Sequence, residues 1–148
     1  MKKTLWLEVC CLLLVLLFTY VSLSKVIPPW HFPRFQHDMS NQPLPKWFTS
    51  FLAYGLPITE FTIAACLISS RWRRLGLQLS VVFMSLFTLY AALILLHSFA
   101  YIPCGCGGII AHLTWPQHLI FNSFFTGLAI AGLLLQQNTR KSLQPATA

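Results

Sequence analysis

Acidic residues are almost missing from this chain: Glu8, Asp38 and Glu60 are the only three in 148 residues. Charged residues of both signs make up 9%, against about a quarter in an average soluble chain. So few charges cannot cover the large relative surface of a small globule, which excludes a soluble domain. The shortage of carboxylates also leaves no glycosidase-type acid pair. No phosphate-binding glycine loop or Ser-His-Asp pattern stands in their place, and no soluble catalytic domain is present. A small-x-small cleavage site is missing as well. Lys2 and Lys3 precede an apolar run, but the chain continues Lys25-Val26-Ile27-Pro28-Pro29. The run therefore reads as an uncleaved first helix, not a signal peptide.

Hydrophobic residues account for 56% of the chain. They gather in four runs, at about 5–24, 48–69, 75–100 and 115–135. Each is long enough to cross a hydrocarbon core of about 30 Å at roughly 1.5 Å per residue. Backbone groups in lipid must be satisfied within their own segment, so these runs are expected to be helices. The fold class is an all-α membrane protein, a four-transmembrane-helix bundle forming a single membrane domain in a lipid bilayer. Between the first two runs, Lys25 to Trp47 holds Pro28, Pro29, Pro33, Pro43 and Pro45 together with Trp30, Phe32, Phe35 and Trp47. Such proline density predicts extended or turn structure, and the aromatics predict a lid lying flat on the bundle. The polar tail 136–148 is expected to be a disordered cytoplasmic extension.

A net charge of +7 would suggest nucleic acid in a soluble protein. Here the basic residues sit at the ends of apolar runs, with no basic face carrying interleaved aromatics, so nucleic-acid binding is excluded. They read instead as topology signals. With the N-terminus inside, Lys2, Lys3, Arg71, Arg73, Arg74, Arg140 and Lys141 are internal, and Lys25, Arg34 and Lys46 external. This asymmetry predicts both termini in the cytoplasm.

On that topology, Pro103-Cys104-Gly105-Cys106-Gly107-Gly108 lies on the oxidising side of the membrane, where disulfides persist. An i, i+2 bridge needs a backbone turn, which Gly105 permits, and a ring so small would be strained and oxidising. Redox exchange is the favoured reading. A soft-metal site formed by Cys104, Cys106, His112 and His118 is the first alternative, and a structural cross-link the second. Thr114-Trp115-Pro116-Gln117 reads as a helix start with a capping box, and its dipole would lower the pKa of a nearby thiol. His118, Asn122 and Thr126 form a polar stripe on the fourth helix. Its bland explanation is interhelical hydrogen bonding, with His118 the exception, as a proton carrier near the cysteines. His97 and His112 are further candidates for that role. Gly127 and Ala131 form a small-xxx-small pair suited to close helix packing.

Glu60 stands about midway along the second apolar run, a depth at which a carboxylate is costly and suggests function. Pro57 should kink that helix. Lys25 is a possible partner if its stem reaches inward. The competing explanation is a buried ion pair that only fixes helix packing. Glu8 is expected at the inner interface, and Cys10, Cys11 and Cys66 as inert apolar packers.

Ser24-Lys25, Pro57-Ile58-Thr59-Glu60 and Pro103-Cys104-Gly105-Cys106-Gly107 together resemble the MauE branch of the DoxX-like membrane proteins. The likeness covers almost the whole chain. It implies a four-helix bundle in a bacterial inner membrane, associated with extracytoplasmic thiol–disulfide chemistry and a thioredoxin-like partner. By that likeness Lys25, Glu60, Cys104 and Cys106 are the functional positions. A lipid quinone is a possible electron acceptor, by analogy with other four-helix thiol oxidases. The alternative is a non-enzymatic membrane anchor, chaperone or metal-binding module.

Overall fold

A computed structural model describes residues 2–27, 29–42, 44–96 and 113–143, and all its regular elements are helices. They are α1 (Lys2–Val26), α2 (His31–Ser40), α3 (Lys46–Ile68), α4 (Arg73–Leu95) and α5 (Trp115–Leu143). Among these, α1, α3, α4 and α5 are long and apolar enough to cross a membrane. Their outward faces carry large apolar side chains such as Leu12, Leu16, Ile58, Phe61, Val82, Leu86, Ile120 and Phe124. Only lipid matches such a surface on every side of a bundle.

The four long helices form a closed ring: α1 packs against α3 and α5, and α4 against the same two. Residues 69–72 join α3 to α4 at one end of the ring, the arginine end. At the other end α2 packs on α3 and α1. Exposed tryptophans mark both ends, Trp6 and Trp72 at one, Trp30 and Trp47 at the other, as interfacial aromatics do.

Two expectations need correction. The proline-rich segment is not wholly extended, because α2 occupies its centre. Pro33 stands in the first turn of α2, where no intrahelical N–H is required. Pro28 and Pro29 precede the helix and Pro43 and Pro45 follow it, so the prolines bracket α2 instead of breaking it. Phe35 is buried on its inner side. Second, α5 continues through Gln136 and ends at Leu143, where a disordered tail was expected. Gln, Arg and Lys are good helix formers, and basic residues suit a helix C-terminus.

The core runs through Leu7, Leu14, Leu17, Ile63, Leu67, Leu77, Met84 and Ala129. Since lipid is as apolar as leucine, fit between helices has to supply the cohesion. Closest approach occurs at Gly76, where a Cβ would sit 2.9 Å from the backbone nitrogen of Leu67, and at Gly132, where it would meet Leu77 at 3.0 Å. The expected pair is elsewhere: Gly127 and Ala131 are exposed, and a Cβ on Gly127 would meet nothing within 4 Å. They lie on the outward side of α5, and Ala131 is one position away from the packed Gly132. Overpacking at Gly76→Ala should cost about 1–3 kcal/mol. Gly127→Ala should be neutral, or stabilising by up to about 1 kcal/mol through helix propensity. Thermal unfolding of the two variants in detergent compares these costs directly.

Candidate functional site

Lys25 is the penultimate residue of α1, where a lysine would ordinarily reach out to water. Its ammonium turns inward instead and meets Glu60 Oε1 at 2.5 Å, with residue exposures of 3% and 1%. Helix register explains the direction. One turn deeper on α1, the Ser22 hydroxyl donates to the Pro57 carbonyl at 2.9 Å. That bond fixes α1 against α3, and from there Lys25 must extend inward to find Glu60. Helix α3 runs unbroken through Pro57. The Lys25 ammonium also lies 5.5 Å from the centre of the Phe35 ring, which α2 lays over it.

One carboxylate oxygen is left over. Glu60 Oε2 is buried and has no hydrogen-bond partner. An unsatisfied buried charged acceptor is expensive, with a penalty of at least ~1–3 kcal/mol. Glu60 and Lys25 border a cavity of about 90 Å³. Phe18, Phe35, Phe87, Trp115 and Phe121 supply most of its aromatic wall, and Gln42, Tyr90, His118 and Asn122 its polar groups. Tyr90 donates a short hydrogen bond to Gln42 Oε1, tying α4 to the segment after α2.

His118 is 2% exposed and faces this cavity. The start of α5 positions it. The Thr114 N–H donates to Gln117 Oε1 at 2.8 Å, one half of a capping box, and the His118 N–H donates to the Thr114 carbonyl at 2.9 Å. Trp115 then packs on the imidazole with ring centroids 5.5 Å apart. Further along the stripe, Thr126 lies 3.0 Å from the Thr88 hydroxyl of α4, an interhelical hydrogen bond of the ordinary kind.

The structure therefore brings Lys25, Glu60 and His118 to one cavity. Cys104, Cys106, His112 and His97 lie outside the described residues. Residues 97–112 join α4 to α5, and both helices contribute cavity walls through Tyr90, Ala91, Trp115 and His118. Of the four metal-ligand candidates only His118 is described. Among the described residues no group of three metal-binding side chains is assembled. Sequence reasoning placed Phe35 only among the lid aromatics and missed Gln42 and Tyr90. Tyr90, a polar tip in an apolar run, was the available signal. At the arginine end, Glu8 pairs with Arg73 at 2.6 Å, and Cys10 and Cys11 are buried free thiols.

Comparison with known proteins gives one match. The family model described as methylamine utilisation protein MauE covers residues 1–135. Neither a curated protein nor a solved structure matches the chain.

Breaking a buried ion pair strands the remaining charge, at a cost of about 3–5 kcal/mol, whereas replacing both partners with apolar groups is often neutral or stabilising. Lys25→Met and Glu60→Leu should each destabilise the bundle on that scale. The double variant should recover most of the loss. A double-mutant cycle of unfolding free energies in detergent measures both effects.

Proposed function

This chain belongs to the MauE family, and from that premise we propose that it exchanges a disulfide with an extracytoplasmic partner. The protein sits in a bacterial inner membrane with both termini cytoplasmic. Cys104 and Cys106 form the exchanging pair, and a thioredoxin-like protein is the partner whose maturation they serve. In each exchange the two electrons and two protons lost by one dithiol are taken up by the other pair's disulfide. His118 and Glu60 are our candidates for relaying those protons.

The observation that carries this reading is the Lys25–Glu60 pair, with its one unsatisfied oxygen, bordering the same cavity as His118. An orphaned carboxylate oxygen costs stability unless something in the cavity partners it. The polar groups face a common cavity at the end of the ring from which residues 97–112 depart. The charge asymmetry supports the orientation: Arg71, Arg73 and Arg74 cluster between α3 and α4, at the opposite end. Cys10, Cys11 and Cys66 lie within α1 and α3, and the first two are buried, so they stand apart from the exchange.

A membrane-impermeant maleimide applied to growing cells reads orientation and redox state together. Cys104 and Cys106 should react from outside in proportion to the reduced fraction, and that fraction should shift when the partner is removed. One of Cys104→Ser and Cys106→Ser should trap a mixed disulfide with the partner, and both should abolish exchange. Cys10→Ala, Cys11→Ala and Cys66→Ala should change neither. A pair locked in one state, with the serine variants still functional, would refute the exchange. Outside labelling of a cysteine introduced at Arg71 would refute the orientation.

A further inference from the structure

The cavity combines two properties that seldom occur together. Its wall is dominated by aromatic and aliphatic side chains, which favour a flat apolar ring over a hydrated or charged ligand. At its polar pole, Lys25 and Glu60 offer a donor and an acceptor side by side. An ammonium has three N–H donors, of which Glu60 Oε1 takes one, and Glu60 Oε2 is a buried acceptor with no partner. The pair neutralises itself, and among the described residues no further lysine, arginine, aspartate or glutamate lines the cavity, so a charged ligand would find no counter-charge there.

A ring hydroxyl meets all of these conditions at once. Its hydrogen can go to Glu60 Oε2 while its oxygen accepts from Lys25 Nζ. The corresponding carbonyl, after oxidation, keeps the bond from Lys25. We infer that this cavity binds the head group of a lipid quinone, with Lys25 and Glu60 on one ring oxygen. At about 90 Å³ the cavity is smaller than the roughly 150 Å³ that encloses a benzene ring. It therefore takes only the oxygen-bearing edge of the ring, at the ion pair, and the substituted side stays outside it, toward the half-buried Leu56 and Trp115. An isoprenoid tail leaving on that side passes into the bilayer.

The assignment rests on the thiol–disulfide reading in one respect, the electron source. Reduction of a quinone to a quinol takes two electrons and two protons, and closure of the Cys104–Cys106 dithiol supplies two of each. Atoms and charge balance with no other reactant. Binding itself does not need the cysteines, which makes the two readings separable.

The test uses the purified full chain in detergent with a decyl-substituted benzoquinone, and decylbenzene as the control for a tail alone. Saturable elevation of the unfolding temperature reports binding to the folded state. The quinone should raise it by several degrees and decylbenzene should not. Ala91→Leu and Val21→Phe narrow the cavity from α4 and α1 without touching the ion pair. Each should weaken quinone affinity by roughly tenfold or more, about 1.4 kcal/mol, and either suffices if the other fails to fold. Glu60→Gln should weaken the quinol more than the quinone, because only the quinol donates to Oε2. Cys104→Ser/Cys106→Ser should bind like the unsubstituted chain. Normal binding with no thiol exchange in cells would sink the exchange and leave the site standing. No saturable shift, an equal shift with decylbenzene, or undiminished affinity in both narrowed variants would overturn the site.

Discussion

Moving a lysine and a glutamate out of water carries a penalty of several kcal/mol per ion, which their mutual attraction repays only with good geometry and full hydrogen bonding. This chain has only three acids, and it buries one of them against Lys25 inside the bundle. Much of the surrounding architecture accommodates that choice. The Ser22–Pro57 bond sets the register that lets Lys25 reach inward. Helix α2 lays Phe35 over the ammonium, where the ring face offers the cation partial compensation. Tyr90 and Gln42 hold α4 to the segment after α2. These contacts concentrate polar chemistry at one end of the ring, while the rest of the interior is held by apolar packing.

The two ends of the bundle contain the same kind of ion pair in different settings. Glu8 and Arg73 meet near the arginine end, with Glu8 half exposed at 51%, so water screens the pair and little depends on it. Lys25 and Glu60 are screened by neither water nor salt. Exposure thus separates an interfacial tether from a site where a proton or a hydrogen-bonding ligand would feel the full field. The free thiols follow the same division. Cys10 and Cys11 are buried among apolar side chains and act as small packers, whereas Cys104 and Cys106 fall in the sequence between α4 and α5.

Much of this was legible from residue order. Four apolar runs gave four spanning helices, because lipid leaves the backbone no other way to satisfy its hydrogen bonds. The depth of Glu60 and the position of Lys25 were visible as anomalies, and Thr114–Gln117 announced the start of α5. Other features were hidden for physical reasons. Proline was read as a helix breaker, although Pro33 stands where a helix does not need its N–H. Gly127 and Ala131 matched a packing motif, but helix rotation turns them to lipid and gives the close contact to Gly132. Phe35 and Gln42 join the cavity through tertiary packing of α2 and the segment after it, which no local pattern encodes, whereas Tyr90 of α4 carried a weak signal as a polar tip in an apolar run.

The central claim is that the Lys25–Glu60 pair is retained for chemistry and not for stability. The most direct measurement is the thiol state of Cys104 and Cys106 in growing cells carrying Lys25→Met together with Glu60→Leu, once that double variant is shown to fold and insert. The account predicts a stable protein whose cysteine pair no longer cycles, with exchange slowed roughly tenfold or more, as expected when a positioned proton-transfer group is removed. A double variant that is stable and cycles at the unsubstituted rate would contradict it.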